Sequence, residues 1–384
     1  MAELTRELVA IPTENPPGAR YPACLDLLER RMRELSLPVE TIRLDQDRTA
    51  LLCGVGSGPT LYLHGHYDVV PASFPDQFRP ITQGGRIIGR GSADMKGAIA
   101  AMIHAVAALS GTRLSGRVEV VLVPDEETGG EHGSRRLLEL GRLGRDGVGA
   151  ILGEPTSGAI WNANRGAITL RVEVRGRPAH VGLHYQGVNA FEHALPILTA
   201  LERLKAEVET RRTDASIGPD AARRSILMLG GEVSGGHQFN VVPELFAFTV
   251  ERRFNPEEDL SSERDRLLSV IQDASPPGSA VSVSILQEGQ SSGTAVDTSF
   301  YRAAKASVSA VTGREPTEEM CPGLLESRFY AQAGVPAIAY GPGDLEVSHG
   351  PDESVVVERI VECAQAYALT ALDLFSTPSV PLGS

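Results

Sequence analysis

The chain has 384 residues, 42% of them hydrophobic and 22% charged, which is enough for a buried core and suits either one domain or two. Its formal charge is −13 and its Lys and Arg residues are dispersed, so we do not expect a nucleic-acid partner. Four widely spaced cysteines argue against a disulfide framework, and the lack of an apolar signal core or of about 18 consecutive apolar residues predicts a cytoplasmic protein that does not enter a membrane.

The first 165 residues alternate between helical and strand patterns. Residues 22–35 have the spacing of an amphipathic helix, and residues 97–109 are apolar all round, as in a buried helix. Strands are predicted at 61–66, 118–124 and 150–155. The last two are almost continuously apolar, which is typical of strands covered on both faces. Strands that alternate with helices predict an α/β fold with α/β/α layers and a mixed, largely parallel sheet.

The pattern changes at about residue 166, where apolar and polar residues begin to alternate as in a half-exposed strand. The order from there is β-α-β-β-α-β, which is that of a ferredoxin-like unit. The later elements of this unit are predicted at 187–208 (helix), 224–233 (strand), 245–254 (strand), 257–274 (helix) and 280–286 (strand). We therefore expect an inserted domain at 166–287.

The α/β pattern resumes after the insertion, so residues 1–165 and 288–384 are expected to form one domain. Its later elements are predicted to be a helix at 298–312, a strand at 336–340 and a helix at 355–375. The tail at 376–384 is expected to fray.

Residues that can bind metal follow the apolar part of several predicted strands. These residues are His66, Glu126, Glu127 and Glu154. In open α/β sheets the carboxyl edge of the strands is where ligands bind. His64 lies two residues before His66 and is an alternative ligand on the same strand.

Imidazole nitrogen and carboxylate oxygen are ligands of zinc, and two zinc ions a few ångströms apart need a bridging ligand and acidic groups to offset their charge. Two His, one bridging Asp and two terminal Glu would meet that need. The candidates are His66, Asp94, Glu127, Glu154 and His349. Asp94 lies in a glycine-rich turn just before a helix, where the backbone can bend sharply.

Two further carboxylates bear on the chemistry. Asp68 would share a face with His66 in extended chain and could accept its second ring N–H. Glu126 and Glu127 are adjacent and cannot both point the same way in extended chain, so one can hold metal while the other faces the bridging water. A carboxylate in a closed, partly apolar pocket can shuttle protons, and a water acidified by metals is a nucleophile at neutral pH.

Five motifs occur in order along the chain. They are GHYDVVP at 65–71, GRGSADMKG at 89–97, PDEETGG at 124–130, LGEPT at 152–156 and SHGPDES at 348–354. Together they resemble the dinuclear zinc aminoacylase and carboxypeptidase family, which includes acetylornithine deacetylase, succinyl-diaminopimelate desuccinylase and glutamate carboxypeptidase. The resemblance covers nearly the whole chain and implies a zinc-exopeptidase-like catalytic domain.

The resemblance also implies the metals and their ligands. The site would contain two Zn²⁺ ions, for which Co²⁺ can substitute. His66 and Glu154 would hold one ion, Glu127 and His349 would hold the other, and Asp94 would bridge both.

The resemblance gives roles to two more residues near the metals. Asp68 would orient His66. Glu126 would act first as general base and then as general acid toward the leaving nitrogen. The family also has a cis peptide bond after the bridging Asp, which is Asp94–Met95 in this chain.

The predicted inserted domain resembles the lid and dimerisation domain of the family, which implies a homodimer. The motif GRPAHVGLHYQGVNA contains His180, which in dimeric relatives reaches the partner subunit's site and stabilises the oxyanion. FNVVPE contains Asn240 and VERRFNP contains Arg253, and the resemblance implies that both contact substrate. A guanidinium fork fits a substrate carboxylate bidentately. Arg252 is expected to be a surface residue.

The chain departs from the family's pattern near residue 326. Relatives often carry Thr-Asp-x-Arg before the last ligand, whereas this chain has GLLESRF at 323–329. Glu326 and Arg328 are therefore candidate substrate-binding residues. The resemblance also implies that GPG at 341–343 lines the pocket with backbone N–H groups.

These features predict a metal-dependent amidohydrolase that removes the acyl group from an N-acyl amino acid. An exopeptidase acting on dipeptides or C-terminal residues is an alternative, because such substrates present an amide and a carboxylate at a similar distance. A metal-binding or peptide-binding protein without turnover is a more distant alternative, which the presence of Glu126 and Asp94 disfavours.

Overall fold

The computed structural model describes residues 1–45 and 47–376, which form two compact units. The first unit contains Met1–Asn162, Gly293–Glu319 and the described residues from Glu326 onward, and the second contains Ala163–Ser292 and Met320–Leu325. The tail expected to fray lies, beyond Ser376, outside the described residues. The assignment of 166–287 as an inserted lid and dimerisation domain stays a prediction.

A mixed sheet lies at the centre of the first unit. From one edge its strands are Val39–Arg43, Thr49–Gly56, Arg117–Val123, Thr60–His66, Gly147–Leu152, Ala337–Ala339 and Ile160–Asn164. The four strands from Arg117–Val123 to Ala337–Ala339 are mutually parallel, and the strands that flank these four pair with them in antiparallel fashion. Every residue of Thr60–His66 is buried, as in a strand covered on both faces. The predicted α/β fold with a mixed, largely parallel sheet is confirmed.

The helices of the first unit pack on one another and on the sheet. Gly97–Leu109 is buried almost all round, as its apolar composition predicts, and it contacts both the sheet and Val357–Phe375. Val357–Phe375 also packs against Ser299–Thr312. The other helices are Ala2–Val9, Tyr21–Glu34, Ser134–Glu139 and Ser327–Gln332.

Several short strands complete the secondary structure. Ser354–Val356, Arg86–Ile88 and Ile81–Gln83 form a small antiparallel sheet. The remaining short strands are Ser292–Gly293 and Glu318–Cys321.

One stretch, Ser92–Leu109, is long and apolar enough to cross a bilayer by length and composition alone, and 78% of it is buried inside the protein. Its side chains Ile99, Met102 and Val106 belong to the main hydrophobic core. This stretch therefore has the character of a core helix.

The second unit contains a four-stranded antiparallel sheet. Its strands lie in the order Ile226–Gly235, Leu245–Phe254, Gly166–Arg175 and Ala280–Gly289. The helices Ala190–Val208 and Leu260–Ala274 pack against each other and against this sheet. Alternate residues of Gly166–Arg175, from Ile168 to Val174, are buried in the core. The elements follow one another in the order β-α-β-β-α-β.

Arg252 is not the surface residue that the sequence analysis predicts. It is fully buried, and its guanidinium lies 2.5 Å from Glu258 and 2.8 Å from Glu263. Strand alternation places Arg252 on the same buried face as Val250 and Phe254. The two carboxylates come from the segment after the strand and offset the cost of burying the charge.

Candidate metal centre

Neighbouring parallel strands bring the predicted metal ligands to one edge of the main sheet. His66 is the last residue of Thr60–His66. The strands on either side of it end just before Glu126 and Glu154. Because both of these strands run parallel to Thr60–His66, the carboxyl ends of all three meet at that edge.

Two groups of side chains share Asp94. In one group, ligand atoms of His66, Asp94 and Glu154 all lie within 4.8 Å of one another, and in the other group those of Asp94, Glu127 and His349 do. Nε2 of His66 is 3.1 Å from Oδ1 of Asp94. Nε2 of His349 is 3.3 Å from Oδ2 of Asp94 and 3.3 Å from Oε2 of Glu127. The two oxygens of Asp94 thus face different histidines, an arrangement that suits a carboxylate bridging two ions.

Asp94 and His349 both lie on segments of irregular backbone. Asp94 is in the turn Ser92–Lys96, with φ of −123° and ψ of 94°, outside the helical range. The peptide bond Asp94–Met95 is cis, as the resemblance implies. His349 has φ of 62°, in the left-handed region that residues with a Cβ rarely adopt.

The ring of His66 is oriented by Asp68. Nδ1 of His66 is 3.0 Å from the main-chain oxygen of Asp68 and 3.4 Å from its Oδ1. A proton on Nδ1 that is donated to these oxygens leaves the lone pair of Nε2 directed toward Asp94, as a metal ligand requires. The nearer acceptor is the main-chain carbonyl, whereas the sequence analysis expects the carboxylate.

The carboxylate of Asp68 instead anchors the next loop. It accepts hydrogen bonds from the N–H groups of Glu126 and Glu127 at 3.3 and 3.2 Å, and from the side-chain amide of Asn15 at 2.9 Å. This one carboxylate therefore fixes the backbone from which two of the predicted functional side chains extend.

Glu126 and Glu127 lie in a 3-10 turn and not in the extended chain that the sequence analysis assumes. The turn follows Asp125, whose φ is 79°. The two carboxylates still diverge: Glu127 reaches His349, whereas Oε2 of Glu126 is 4.0 Å from Nε2 of His66. Glu126 belongs to neither of the two groups that share Asp94.

Four carboxylates crowd into this buried region. Burial raises the pKa of Glu126, Glu127 and Glu154, the last to about 8, and repulsion from nearby carboxylates raises each of them further. Hydrogen bonds to Asp94 and Glu127 raise the pKa of His349 to about 10. Asp94, the fourth carboxylate, differs, because hydrogen bonds to His349 and His66 lower its pKa despite burial. Four ionised carboxylates would place four negative charges in this region. Two divalent cations would offset that charge and find the donor atoms that zinc prefers, so the residues fit a dinuclear centre.

His64 and Glu326 form a buried pair outside the two metal-binding groups. Nε2 of His64 is 2.6 Å from Oε2 of Glu326, and its Nδ1 is 3.0 Å from the hydroxyl of Tyr330. Arg328 is also buried and donates from Nη2 to the main-chain oxygen of Gly129 at 2.5 Å. These partners are internal to the protein. The predicted substrate contacts of Glu326 and Arg328, and the alternative of His64 as a ligand, stay predictions.

The glycines of the GPG segment permit a close approach of main-chain segments. A Cβ on Gly341 would lie 2.4 Å from the main-chain oxygen of Glu154, and a Cβ on Gly343 would lie 2.4 Å from that of Ala93. The N–H of Gly341 donates to Oγ1 of Thr156 at 3.3 Å. The expectation that this segment offers its N–H groups to the pocket is therefore wrong for Gly341. A glycine is needed at this position because a Cβ would collide with the main chain.

The second unit carries the residues that the resemblance assigns to substrate. His180 is exposed and forms an antiparallel bridge with Val241, next to the partly exposed Asn240. Arg253 is partly exposed, and its Nε donates to the carboxylate of Glu251. The roles predicted for these three residues stay predictions.

Sequence reasoning missed several buried residues around the predicted ligands. They are Asn15, Gln77, Arg90 and Glu353. Arg90 and Glu353 lie inside two of the five motifs. Each is a charged motif residue with no predicted role as ligand or base, and that could have marked it as a residue that supports the site. Asn15 and Gln77 lie outside the motifs and had no such signal.

A mixed α/β sheet with two ligand groups at the carboxyl edge of its parallel strands is the architecture of a metal-dependent hydrolase. The model of Peptidase family M20/M25/M40 matches residues 62–373, an interval that includes all five motifs. The match spans most of the chain, which therefore belongs to this family of metal-dependent hydrolases acting on amide bonds.

Individual relatives agree with this assignment. An acetylornithine deacetylase of Myxococcus xanthus is 32% identical over 321 residues, which cover 82% of this chain and 80% of the relative. A succinyl-diaminopimelate desuccinylase of Ectopseudomonas mendocina (strain ymp) is 26% identical over 388 residues, which cover 97% and 98%. The crystal structure of an M20 family metallo-carboxypeptidase from Sulfolobus solfataricus matches with a TM-score of 0.80 at 16% identity and covers 96% of this chain and 98% of its own. The structural match confirms the fold.

Proposed function

We propose that this hydrolase removes the acyl group from a small N-acyl amino acid. The observation that carries the proposal is the pair of ligand groups that share Asp94, with Glu126 beside them as a carboxylate outside both groups. The similarity to a deacetylase and a desuccinylase, both named for removal of an acyl group, favours this substrate class over a peptide.

In the proposed centre, His66 and Glu154 would hold one zinc ion, Glu127 and His349 would hold the second, and Asp94 would bridge the two. Cobalt can take the place of zinc, because both ions accept nitrogen and oxygen donors. When bound, the ions polarise the scissile carbonyl and lower the pKa of water. The protein contributes donor atoms that, within each group, lie within 4.8 Å of one another before substrate arrives.

Glu126 is the proposed acid–base group. Its Oε2 lies 4.0 Å from Nε2 of His66, which supports a role toward a water molecule held at the centre. It takes a proton from the attacking water as the new C–O bond forms, and it returns that proton to the amide nitrogen as the C–N bond breaks. Burial raises the pKa of Glu126, which opposes the lowering that two nearby cations would cause.

The second unit is proposed to recognise the substrate. His180 and Asn240 are accessible to a ligand, and they are assigned to the oxyanion and to the substrate respectively. Arg253 engages Glu251 through Nε, and its two terminal nitrogens form the edge that fits a carboxylate. The carboxylate of an N-acyl amino acid is the proposed partner of that edge.

We also propose a cytoplasmic homodimer joined through the second unit, with His180 acting at the partner subunit's centre. Met228 and Val233 are exposed apolar side chains on the edge strand Ile226–Gly235 of this unit, and an exposed edge strand supports pairing with a second copy. Sedimentation velocity should give twice the chain mass of 40.9 kDa. A single species at the chain mass over micromolar concentrations would remove the in-trans role of His180.

A substrate panel tests the proposed function. The metal-free protein is reloaded with zinc or cobalt and assayed on N-acetyl, N-succinyl and longer N-acyl amino acids and on dipeptides. We expect the highest kcat/KM for one of the N-acyl amino acids, and no turnover without metal. Faster hydrolysis of dipeptides than of every acyl amino acid would instead make the protein an exopeptidase. Two bound metals without turnover of any substrate would favour a binding protein.

A further inference from the structure

A buried ion pair lies next to two of the proposed metal ligands. Arg90 and Glu353 are each only 1% exposed, and Nη1 of Arg90 is 2.5 Å from Oε2 of Glu353. Arg90 precedes the turn that carries Asp94, and Glu353 follows the loop that carries His349. The pair therefore joins two segments that are far apart in the sequence, and the proposed function gives it no role.

Glu353 holds the main chain at Asp94. Its Oε1 accepts the N–H of Ala93 at 3.0 Å and the N–H of Asp94 at 3.1 Å. Two donors on one oxygen fix the orientation of both peptide groups, and so the direction in which the Asp94 side chain leaves the backbone. This direction is critical, because Asp94 presents one oxygen to His66 and the other to His349.

Arg90 holds the main chain at His349. Its Nη2 donates to the main-chain oxygen of His349 at 3.0 Å. The left-handed φ of 62° disfavours a residue with a Cβ, so contacts with the surroundings must maintain it. The His349 side chain is 52% exposed, and packing around the ring is therefore a weak restraint. Gln77 supports the same loop by donating to the main-chain oxygens of Gly350 and Pro351.

We infer that Arg90 and Glu353 are positioning residues that set the metal affinity of the centre, Glu353 through Asp94 and Arg90 through His349. The inference rests on the proposed metal centre. Arginine suits this position because its planar fork meets the carboxylate of Glu353 through Nη1 and the carbonyl of His349 through Nη2, a geometry that the single ammonium nitrogen of lysine does not reproduce. Loss of a residue that orients a metal ligand typically lowers metal affinity by about 10-fold to 100-fold.

The test measures zinc binding to the metal-free protein by competition with a chromophoric chelator, without substrate. Glu353→Gln should lower the affinity for both ions by about 10-fold to 100-fold, because Asp94 is a proposed ligand of both. The amide NH2 of the new Gln would face an N–H donor, either of Arg90 or of the main chain at Ala93 and Asp94. Arg90→Lys keeps the positive charge and should lower chiefly the affinity for the ion that His349 is proposed to hold. The matched control is Glu119→Gln, which removes a nearly buried carboxylate from a different ion pair of the same unit, with Arg117. It should bind zinc as the wild type does.

Thermal unfolding of the metal-free proteins separates positioning from folding. The inference expects Arg90→Lys to unfold within a few degrees of the wild type and yet to bind zinc more weakly, and this variant decides the matter if Glu353→Gln does not fold. Wild-type affinity for both ions in the folded variants would overturn the inference, as would an equal loss in Glu119→Gln. Wild-type protein that binds no zinc would remove the proposed function itself, whereas normal wild-type binding with unaffected variants removes the inference alone.

Discussion

The two units carry their proposed functional residues in opposite ways. In the first unit, Asp94 is fixed through its own main chain, and the backbone of Glu126 and Glu127 is tied to the Asp68 carboxylate. In the second unit, His180 is exposed, and Arg253 is partly exposed and donates from Nε to Glu251. The residues proposed for bond breaking are thus preorganised, and those proposed for recognition keep the freedom to adapt to a ligand.

This difference has a direct consequence for experiment. A rigid charged centre stabilises developing charge without reorganisation, so substitutions there should change kcat or metal affinity. An exposed recognition residue acts when the ligand arrives, so its substitution should leave the metals in place and change KM or a single step. Substitutions in each unit can therefore confirm or contradict this division.

Glu126→Gln should lower kcat by about 100-fold to 10,000-fold, because a positioned acid–base group contributes that much. The two metals should remain bound, because Glu126 lies outside both ligand groups. Steady-state kinetics and metal analysis of the purified variant check both statements. Glu131→Gln, an exposed position in the same segment, is the control. A Glu126→Gln protein with wild-type kcat would mean that another group moves the proton.

His180→Asn should lower kcat by about 100-fold to 1,000-fold, the usual cost of losing one donor to the oxyanion. Zinc content should not change, because His180 belongs to the second unit and to neither ligand group. The control is His184→Asn, an exposed histidine in the same motif. Loss of zinc from the His180 variant would show that this residue is a ligand and would break the division between the units.

Arg253→Lys should raise KM by about 10-fold with little change in kcat, because the charge stays while the bidentate hydrogen bonds to the substrate carboxylate are lost. Assays with an N-acyl amino acid and with its C-terminal amide separate the two contributions, since only the acid has the carboxylate. Arg175→Lys, an exposed arginine on the neighbouring strand, is the control. An equal rise in KM for acid and amide would argue against the carboxylate clamp.

The fold and the candidate ligands were accessible from sequence because their signals are local. A continuous apolar run such as VEVVLVP predicts a covered strand, and Arg117–Val123 is one. His66, Glu126 and Glu154 follow such runs, and the geometry of parallel strands then brings them to one edge.

The features that sequence reasoning missed depend on pairs of charged groups that are distant in the chain. Glu326 has His64 as its partner, and Glu353 has Arg90. A charged residue is buried or exposed according to whether such a partner is present, and no local pattern reports this. Arg252 shows the same dependence at short range, since its partners are Glu258 in the connection after the strand and Glu263 in the following helix.

The reactivity of the cysteines tests whether the first unit stays closed to a thiol reagent, and it is the smallest effect that we predict. Cys24, Cys53 and Cys363 of this unit are buried, and burial raises the pKa of their thiols to about 11, 12 and 12 respectively. Because the thiolate is the reactive form, these thiols should stay largely unmodified by an aromatic disulfide reagent at pH 8 over minutes and react fully after unfolding in denaturant. Cys321 is also buried but belongs to the second unit, so all four thiols should react slowly, and early reaction of Cys321 alone, lost in Cys321→Ser, would leave the first unit closed. Fast reaction of two or more thiols in the native protein would show that the first unit opens readily, and the contrast with the second unit would then lose its basis.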